Sequence, residues 1–148
     1  MTEIEERIQE RQKKNGFMRH NFIEMESVKR DRAVFRLTIR PESKNPYGMV
    51  HGGAIYTLAD NATGTAAHTD GRYYVTQTSA LHFLRNQSEG TVRATATVTG
   101  VSENGKLITF RVEASDDWGP IGEGTHTRAI IANDRFLQKC TSKLTERK

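Results

Sequence analysis

The residues with the clearest chemical potential lie in one stretch of the chain, residues 45–68. His51, Gly52 and Gly53 precede a run of small and apolar residues, and one carboxylate, Asp60, interrupts that run. Free backbone amides at the start of a helix, beside glycines that let a ligand approach, favour an oxygen carrying negative charge. An unpaired carboxylate in apolar surroundings is costly, and such groups often act as a base or a nucleophile. The pattern therefore indicates an oxyanion site combined with a carboxylate.

The spacing of Gly53 and Asp60 limits how they can act together. Seven residues of helix place them on the same face, roughly 10.5 Å apart along the axis. A carbonyl oxygen bound at the Gly53 amide is therefore too far from Asp60 of the same helix to be reached through one water. If both residues act on one substrate, Asp60 must come from an antiparallel helix of a neighbouring subunit, as in a two-fold dimer.

Each of these residues also has a purely structural interpretation. Asp60 alone is a solvated helix residue or a partner for an arginine, and Gly52 with Gly53 is a loop exit. His51 alone is more often a structural hydrogen-bonding residue than a catalyst. The three features together, with Asn45 just upstream, favour a functional site.

The elements that must hold these residues predict an α+β domain. A charged helix covers residues 3–14, and two strands, "MRHNFIEMESV" and "RAVFRLTIR", meet at a turn near Arg30 and Asp31. A helix of mostly small and apolar residues follows over about 52–68. Four further alternating segments read as strands: "YYVTQTSALHFLR", "GTVRATATVTGVS", "KLITFRVEASD" and "IGEGTHTRAIIA". The helix is apolar nearly all round, so we expect the antiparallel sheet to wrap it.

The whole chain reads as one globular domain, 1–148, with a charged N-terminal helix at 1–14 and a basic tail at 140–148. The net charge of +4 is modest, and no basic stripe interleaved with aromatics indicates nucleic acid. No apolar run is long enough for a membrane helix, and the charged start lacks the apolar centre of a secretory signal. With a single cysteine as well, we expect a cytoplasmic protein without membrane or nucleic-acid partners.

The pattern Asn45-x5-His51-Gly52-Gly53-x6-Asp60 resembles the signature of hot-dog-fold acyl-CoA thioesterases. The similarity is to the PaaI-like, phenylacetate-degradation type group of the 4-hydroxybenzoyl-CoA thioesterase superfamily, and it continues through the next two strands. The resemblance implies a hot-dog fold, in which an antiparallel sheet of about five to six strands wraps a long central helix. It also implies a homodimer as the minimum active unit, a homotetramer as the expected assembly and acyl-CoA as the substrate.

The same resemblance implies a role for each site residue. The Gly53 amide would bind the thioester oxygen, and Asp60 of the partner subunit would act as general base on water or as nucleophile. Asn45 would hold the water or the carbonyl, and His51 would orient the loop and polarise the thioester. Thr76 falls where related enzymes carry a hydroxyl that helps to place the water, with an ordinary strand threonine as the alternative. No metal ion and no cofactor are implied.

The closing segment, "GEGTHTRAIIANDRF", departs from the PaaI-like pattern and resembles fluoroacetyl-CoA-thioesterase-type hot-dog proteins, whose catalytic set is missing here. His126 and Arg128 alternate on this strand, and either form a hydrogen-bonded strand face or line the acyl or pantetheine channel. Arg85 is either a surface arginine or a partner for a coenzyme A phosphate. Gly52 is expected to lie against the substrate.

Two other functions remain open from the sequence. Hot-dog proteins include acyl-thioester dehydratases and hydratases, but the arrangement of Asn45 and Asp60 argues against that chemistry. A non-catalytic acyl-CoA-binding or sensor protein is the second alternative. Such regulators usually carry a DNA-binding segment, and the short charged helix at the N-terminus is too small for one.

Overall fold

The computed structural model describes residues 2–146. Its helices are α1 (Glu3–Lys13), α2 (Gly16–His20), α3 (Gly52–His68) and α4 (Asn133–Glu146), with a short 3-10 turn at Pro41–Ser43. Its strands are β1 (Ile23–Lys29), β2 (Arg32–Thr38), β3 (Tyr73–Phe83), β4 (Thr91–Val101), β5 (Leu107–Asp116) and β6 (Gly119–Ile131).

The six strands form one antiparallel sheet in the order β1-β2-β4-β5-β6-β3, so β1 and β3 are its outer strands. Helix α3 packs on one face of this sheet and contacts every strand, β2 and β4 most extensively. Leu58, Ala62 and Ala66 of α3 are fully buried against Phe35 and Val92 of the sheet. The predicted α+β architecture, with a long central helix on an antiparallel sheet, is therefore confirmed.

Helix α3 begins and ends at the residues that the sequence indicates. His51 is its N-cap residue, and Ala59, Ala62 and Ala66 among its buried positions present little side-chain bulk to the sheet. Small residues let the helix axis approach the strands closely, and alanine has the highest helix propensity. The six predicted strands also occur, with ends that differ by a few residues.

The first strand begins later than predicted, because α2 occupies the start of the segment "MRHNF". The side chain of Asn15 accepts a hydrogen bond from the Met18 amide and caps this short helix. Met18 is buried in the core. The Asn15 cap and the buried Met18 side chain thus favour a helix where the short alternating pattern predicted a strand.

The basic tail predicted at 140–148 overlaps a helix that was not predicted from the sequence. Helix α4 covers Asn133–Glu146, while positions 147 and 148 lie outside the described residues. Phe136, Leu137, Cys140 and Leu144 recur with helical spacing. That pattern, masked by the lysines between them, marks an amphipathic helix. No helix within residues 2–146 is both long enough and apolar enough to cross a bilayer.

Candidate active site

The start of α3 carries the predicted oxyanion donor, and a side chain of the same chain occupies it. The Gly53 amide donates a hydrogen bond of 2.8 Å to Nδ1 of His51. A Cβ atom at Gly53 would lie only 2.9 Å from that nitrogen, so a glycine here lets the ring reach the amide. Because Nδ1 accepts, the ring proton of a neutral His51 is on Nε2. A ligand oxygen that binds the Gly53 amide must therefore displace the exposed imidazole.

Asn45 shapes the loop that leads into α3. Its Oδ1 accepts hydrogen bonds from the amides of Tyr47 at 3.0 Å and Met49 at 3.2 Å. The backbone N–H of Asn45 donates to the Met49 carbonyl at 2.8 Å. These bonds close a tight turn directly before His51. The structure thus gives Asn45 a loop-forming role, and its predicted contact with water or substrate stays a prediction.

Asp60 is a paired and half-exposed carboxylate, with 45% of its side-chain surface accessible. The Thr76 hydroxyl donates to its Oδ1 at 2.8 Å, and Nη2 of Arg128 donates to the same oxygen at 3.0 Å. Nε2 of His126 lies 3.5 Å from it as well. The interpretation of Asp60 as a partner for an arginine is therefore correct, and its charge is balanced within one chain.

Strands β3 and β6 bring Thr76 and Arg128 to Asp60 together. The two residues are register partners across the antiparallel pair. The register shifts between Thr76 and Thr78, and such bulges often re-aim a side chain beside a functional site. The structural interpretation of Thr76 as an ordinary strand residue is thus less favoured than a role beside the carboxylate.

The Arg128 side chain makes three hydrogen bonds to α3. Its Nη2 also donates to the Asp60 carbonyl at 2.8 Å, and its Nε donates to the Thr63 hydroxyl at 3.2 Å. Only 9% of its side chain is exposed. Burial lowers the pKa of Arg128, and Asp60 opposes that shift. An arginine remains protonated despite such a shift, so a cation lies permanently beside Asp60.

His126 lies buried beneath the same carboxylate, on the strand face of Arg128. Its ring packs edge-on against Phe110, and neither ring nitrogen makes a hydrogen bond within residues 2–146. Burial and then the positive charge of Arg128 lower the pKa of His126 to about 4, although Asp60 opposes them. The imidazole is therefore neutral near pH 7.

Arg85 lies away from Asp60 and has a structural partner. Its Nη2 contacts Oδ1 of the buried Asp116 at 2.7 Å and also donates to the Gly119 carbonyl at 3.4 Å. A coenzyme A phosphate would have to share this guanidinium with Asp116. The predicted phosphate contact of Arg85 stays a prediction.

Two cavities border the ends of this site on α3. One, of about 350 Å³, is lined by His51 and Gly53 together with apolar side chains that include Ile23 and Leu37. The other, of about 420 Å³, contains Asp60. The side chains of Phe17 and Thr57 line both cavities. A ligand that follows this surface would therefore pass from the oxyanion donor towards the carboxylate end.

A larger cavity, of about 580 Å³, lies between α1 and the end of α3 and contains none of the predicted site residues. We place the function at the smaller cavities, because they contain the groups able to do chemistry. In the described part of the chain, no three His, Cys, Asp or Glu side chains are grouped so as to hold a metal ion.

The structure thus brings Thr76 and Arg128 to Asp60, and gathers Asn45, His51 and the glycines at the other end of α3. From the sequence, Arg128 was either part of a hydrogen-bonded strand face or part of a channel wall, and its bond to Asp60 was not predicted. Thr63 and Gly64, which lie against the guanidinium, were not predicted either. Helical spacing from Asp60 was the only available signal for Gly64, at i+4.

A comparison with protein families assigns the chain to one of them. The family model described as the thioesterase superfamily matches residues 47–120, half of the chain. The match covers the loop before α3, the helix itself and strands β3 to β5. The chain belongs to the thioesterase superfamily.

Several solved structures resemble this fold. The E. coli PaaI protein of the phenylacetic acid degradation operon is 20% identical and has a TM-score of 0.81, over 87% of this chain and 94% of that chain. A mutant of the phenylacetic acid degradation protein PaaI from Thermus thermophilus is 24% identical, with a TM-score of 0.73 over 79% of this chain and 100% of that chain.

A hypothetical thioesterase from Streptococcus pneumoniae TIGR4, solved with coenzyme A, is 21% identical. Its TM-score is 0.68, over 74% of this chain and 85% of that chain. No curated protein matches the sequence. These similarities confirm the hot-dog fold and the PaaI-like resemblance.

Proposed function

We propose that this protein hydrolyses an acyl-CoA thioester to the free acid and coenzyme A, at a site shared by two subunits. The observation that carries the proposal is the pairing, on one helix, of an N-terminal amide at Gly53 with an anchored, half-exposed carboxylate at Asp60. Membership of the thioesterase superfamily supports the reaction class. The coenzyme A in the S. pneumoniae neighbour supports the thiol half of the substrate.

In this mechanism the thioester oxygen replaces Nδ1 of His51 as acceptor of the Gly53 amide. The displaced ring has an exposed position beside the substrate. As the carbonyl carbon becomes tetrahedral, negative charge grows on the oxygen at the positive end of the helix. Loss of one such donor typically raises the barrier by about 3–4 kcal/mol.

Asp60 of the partner subunit completes the reaction in one of two ways. As general base it takes a proton from water while the water oxygen attacks the carbonyl carbon. As nucleophile it attacks that carbon itself, and water later hydrolyses the mixed anhydride. In both routes the carbon–sulfur bond breaks, and the coenzyme A thiolate leaves and takes up a proton.

Strand β3 supports the shared site. It is an outer strand of the sheet, so one of its backbone edges is available for pairing with a second copy. Thr76, Gln77 and Thr78 of this strand are exposed, and Thr76 bonds to Asp60. A two-fold dimer built on this edge would bring the Asp60 end of one α3 towards the other subunit.

The first test is release of free thiol from a panel of phenylacetyl-, benzoyl-, acetyl-, hexanoyl- and palmitoyl-CoA. We expect Asp60→Asn to reduce turnover by about a hundredfold or more, because a positioned base is lost. Gly53→Pro removes the amide donor at a position in the first helical turn, where proline is tolerated, and its added atoms move the His51 ring away from the helix start. We expect it to cost about a hundredfold as well. A folded wild type that binds an acyl-CoA of the panel without releasing thiol would instead support the sensor function.

A mixing experiment tests the shared site. Asp60→Asn and Gly53→Pro chains, unfolded together and refolded, form heterodimers with one intact site and one doubly defective site. We expect about a quarter of wild-type activity to return, from half the dimers at one site each. Recovery of no activity, with heterodimers demonstrated by tag pull-down, would show that both residues act within one chain.

A further inference from the structure

We propose that Arg128 is a positioning residue, which fixes the Asp60 carboxylate by its Oδ1 atom and leaves Oδ2 as the oxygen that takes part in hydrolysis. The inference rests on the proposed function, since it assigns the reacting atom of the same site. It differs from the alternative drawn from the sequence in which Arg128 lines the substrate channel.

The contacts of the carboxylate are strongly one-sided. Thr76, Arg128 and His126 all approach Oδ1, at 2.8, 3.0 and 3.5 Å. Within residues 2–146, no hydrogen bond or ion pair reaches Oδ2 of Asp60. Rotation of the carboxylate would break two charge-assisted hydrogen bonds at once, so the oxygens are not interchangeable.

With 45% of its side chain exposed, Asp60 is accessible to a ligand although Oδ1 is held. Asp60 lines a cavity of about 420 Å³ together with Asn15, Tyr56 and Asn61. The hydroxyl of Tyr56, the other titratable group there, donates to the Ser79 carbonyl and leaves Asp60 without a bond from it. A water or a thioester carbon therefore reaches Asp60 from this cavity, on the side away from Arg128.

The guanidinium is held in place by α3 as well as by its own strand. It donates to the Asp60 carbonyl and to Thr63, and it lies over Gly64. A Cβ atom at Gly64 would lie 3.0 Å from Nη2 of Arg128 and 3.1 Å from its Cζ and Nη1. Because Gly64 has no side chain, the guanidinium packs directly against the helix. Any larger residue at position 64 would displace it.

A positioning role explains why Thr76, Arg128 and His126 all lie against one oxygen of a half-exposed aspartate. A positioned base or nucleophile must be held within a fraction of an ångström of its productive geometry. The Arg128 side chain is nearly buried, and its Nε and Nη2 atoms donate to α3. It acts through Asp60.

The test compares Arg128→Gln with Arg111→Gln, a matched control that removes the same charge. Arg111 pairs with Glu113 on an exposed sheet face, so its loss should leave turnover unchanged. We expect Arg128→Gln to lower kcat by about ten- to a hundredfold with KM changed less than about twofold. A rise in KM with kcat preserved would overturn the proposal, because Arg128 would then bind substrate.

A double-mutant cycle separates positioning from other roles. If Arg128 acts through Asp60, Arg128→Gln should cost almost nothing further in the Asp60→Asn background. Equal losses in both backgrounds would contradict the proposal. If Asp60→Asn itself has no effect on turnover, the proposed function fails instead, so the two failures are distinguishable.

Two further variants keep the inference testable if Arg128→Gln does not fold. Arg128→Lys retains the charge but not the planar fork, and should recover part of kcat. Gly64→Ala changes no charge, and should lower kcat about three- to tenfold by shifting the guanidinium. In a crystal structure, the Asp60 carboxylate should be fixed in the wild type and should rotate in Gly64→Ala. An unmoved carboxylate and an unchanged kcat in Gly64→Ala would overturn the proposal.

Discussion

Two carboxylate–arginine pairs in this protein use the same chemistry in opposite orientations. In Asp116–Arg85 the carboxylate is buried, with 1% of its side chain exposed, and the arginine is 42% exposed. In Asp60–Arg128 the arginine is 9% exposed and the carboxylate is 45% exposed. The first pair points its cation towards solvent, and the second points its anion there.

The hydrogen bonds of the two carboxylates differ in the same sense. Oδ1 of Asp116 accepts from Arg85 and from the amides of Trp118 and Gly119, while Oδ2 accepts from Gln87 at 2.7 Å. Both oxygens are thus satisfied, whereas Asp60 has donors on Oδ1 alone. A carboxylate saturated on both oxygens closes a turn, and one held by a single oxygen keeps the other for chemistry.

The largest expected effect is a difference in stability between variants of the two carboxylates. Asp116→Asn should lower the free energy of unfolding by about 3 kcal/mol, because the buried charge is lost and the new amide nitrogen cannot accept the hydrogen bond from Gln87. Asp60→Asn should cost about 1 kcal/mol, since the amide oxygen can still accept from Thr76 and Arg128. Urea unfolding followed by circular dichroism measures both values. Equal costs would remove the distinction between the two pairs.

Acid should weaken the Asp116 pair. Burial alone would raise the pKa of Asp116, but Arg85, the Trp118 and Gly119 amides and Gln87 outweigh it and lower that pKa to about 2. A carboxyl whose pKa is lower in the folded state stabilises the fold above its unfolded pKa of about 4. That contribution is lost as the pH falls from about 4 towards 2.

The melting temperature of the wild type should therefore fall more steeply between pH 4 and pH 2 than that of Asp116→Asn. Thermal scans at half-unit intervals of pH, at constant ionic strength, make the measurement. Parallel curves for the two proteins would show that the stability of the fold does not depend on ionisation of Asp116.

His126 gives a pH effect of similar size on the Asp60 side, at higher pH. Its pKa is lowered to about 4, so between about pH 6.5 and 4 the unfolded chain binds a proton that the folded chain does not. Stability should therefore fall as the pH drops through that interval, by about 3 kcal/mol, and His126→Gln should lose this part of the slope. In the native protein, the His126 ring proton resonance should stay constant from pH 8 to about 5.5. A shift near pH 6.5 would place a second cation beside Asp60.

The sequence predicts the scaffold of the Asp60 pair better than the pair itself. The Gly-Gly start and the small residues of α3 are local signals, and they define the helix from Gly52 to His68. The bond between Asp60 and Arg128 joins residues 68 positions apart. It depends on the register of β3 with β6 and on the bulge after Thr76, which no local pattern reveals. Amphipathic α4 was missed because lysines obscured its apolar spacing.

The smallest expected effect concerns Arg85, which could bind a ligand phosphate as well as Asp116. Only Nη2 of Arg85 bonds to Asp116 and to the Gly119 carbonyl, and within residues 2–146 its Nε and Nη1 atoms make no hydrogen bond. The Nε and Nη1 atoms of Arg85 are therefore available to a phosphate, while Nη2 bonds to Asp116 and to the Gly119 carbonyl.

We expect Arg85→Lys to raise KM for an acyl-CoA about three- to fivefold, because lysine keeps the charge near Asp116 but loses the second face of the fork. KM for the matching acyl-pantetheine, which lacks the nucleotide phosphates, should not change. Steady-state kinetics with the two thioesters make the comparison, with Arg111→Lys as the surface control. Equal KM ratios for both thioesters would leave Arg85 as a partner of Asp116 alone, and the two arginine pairs would then divide between them the tasks of stabilising a turn and positioning a reacting carboxylate.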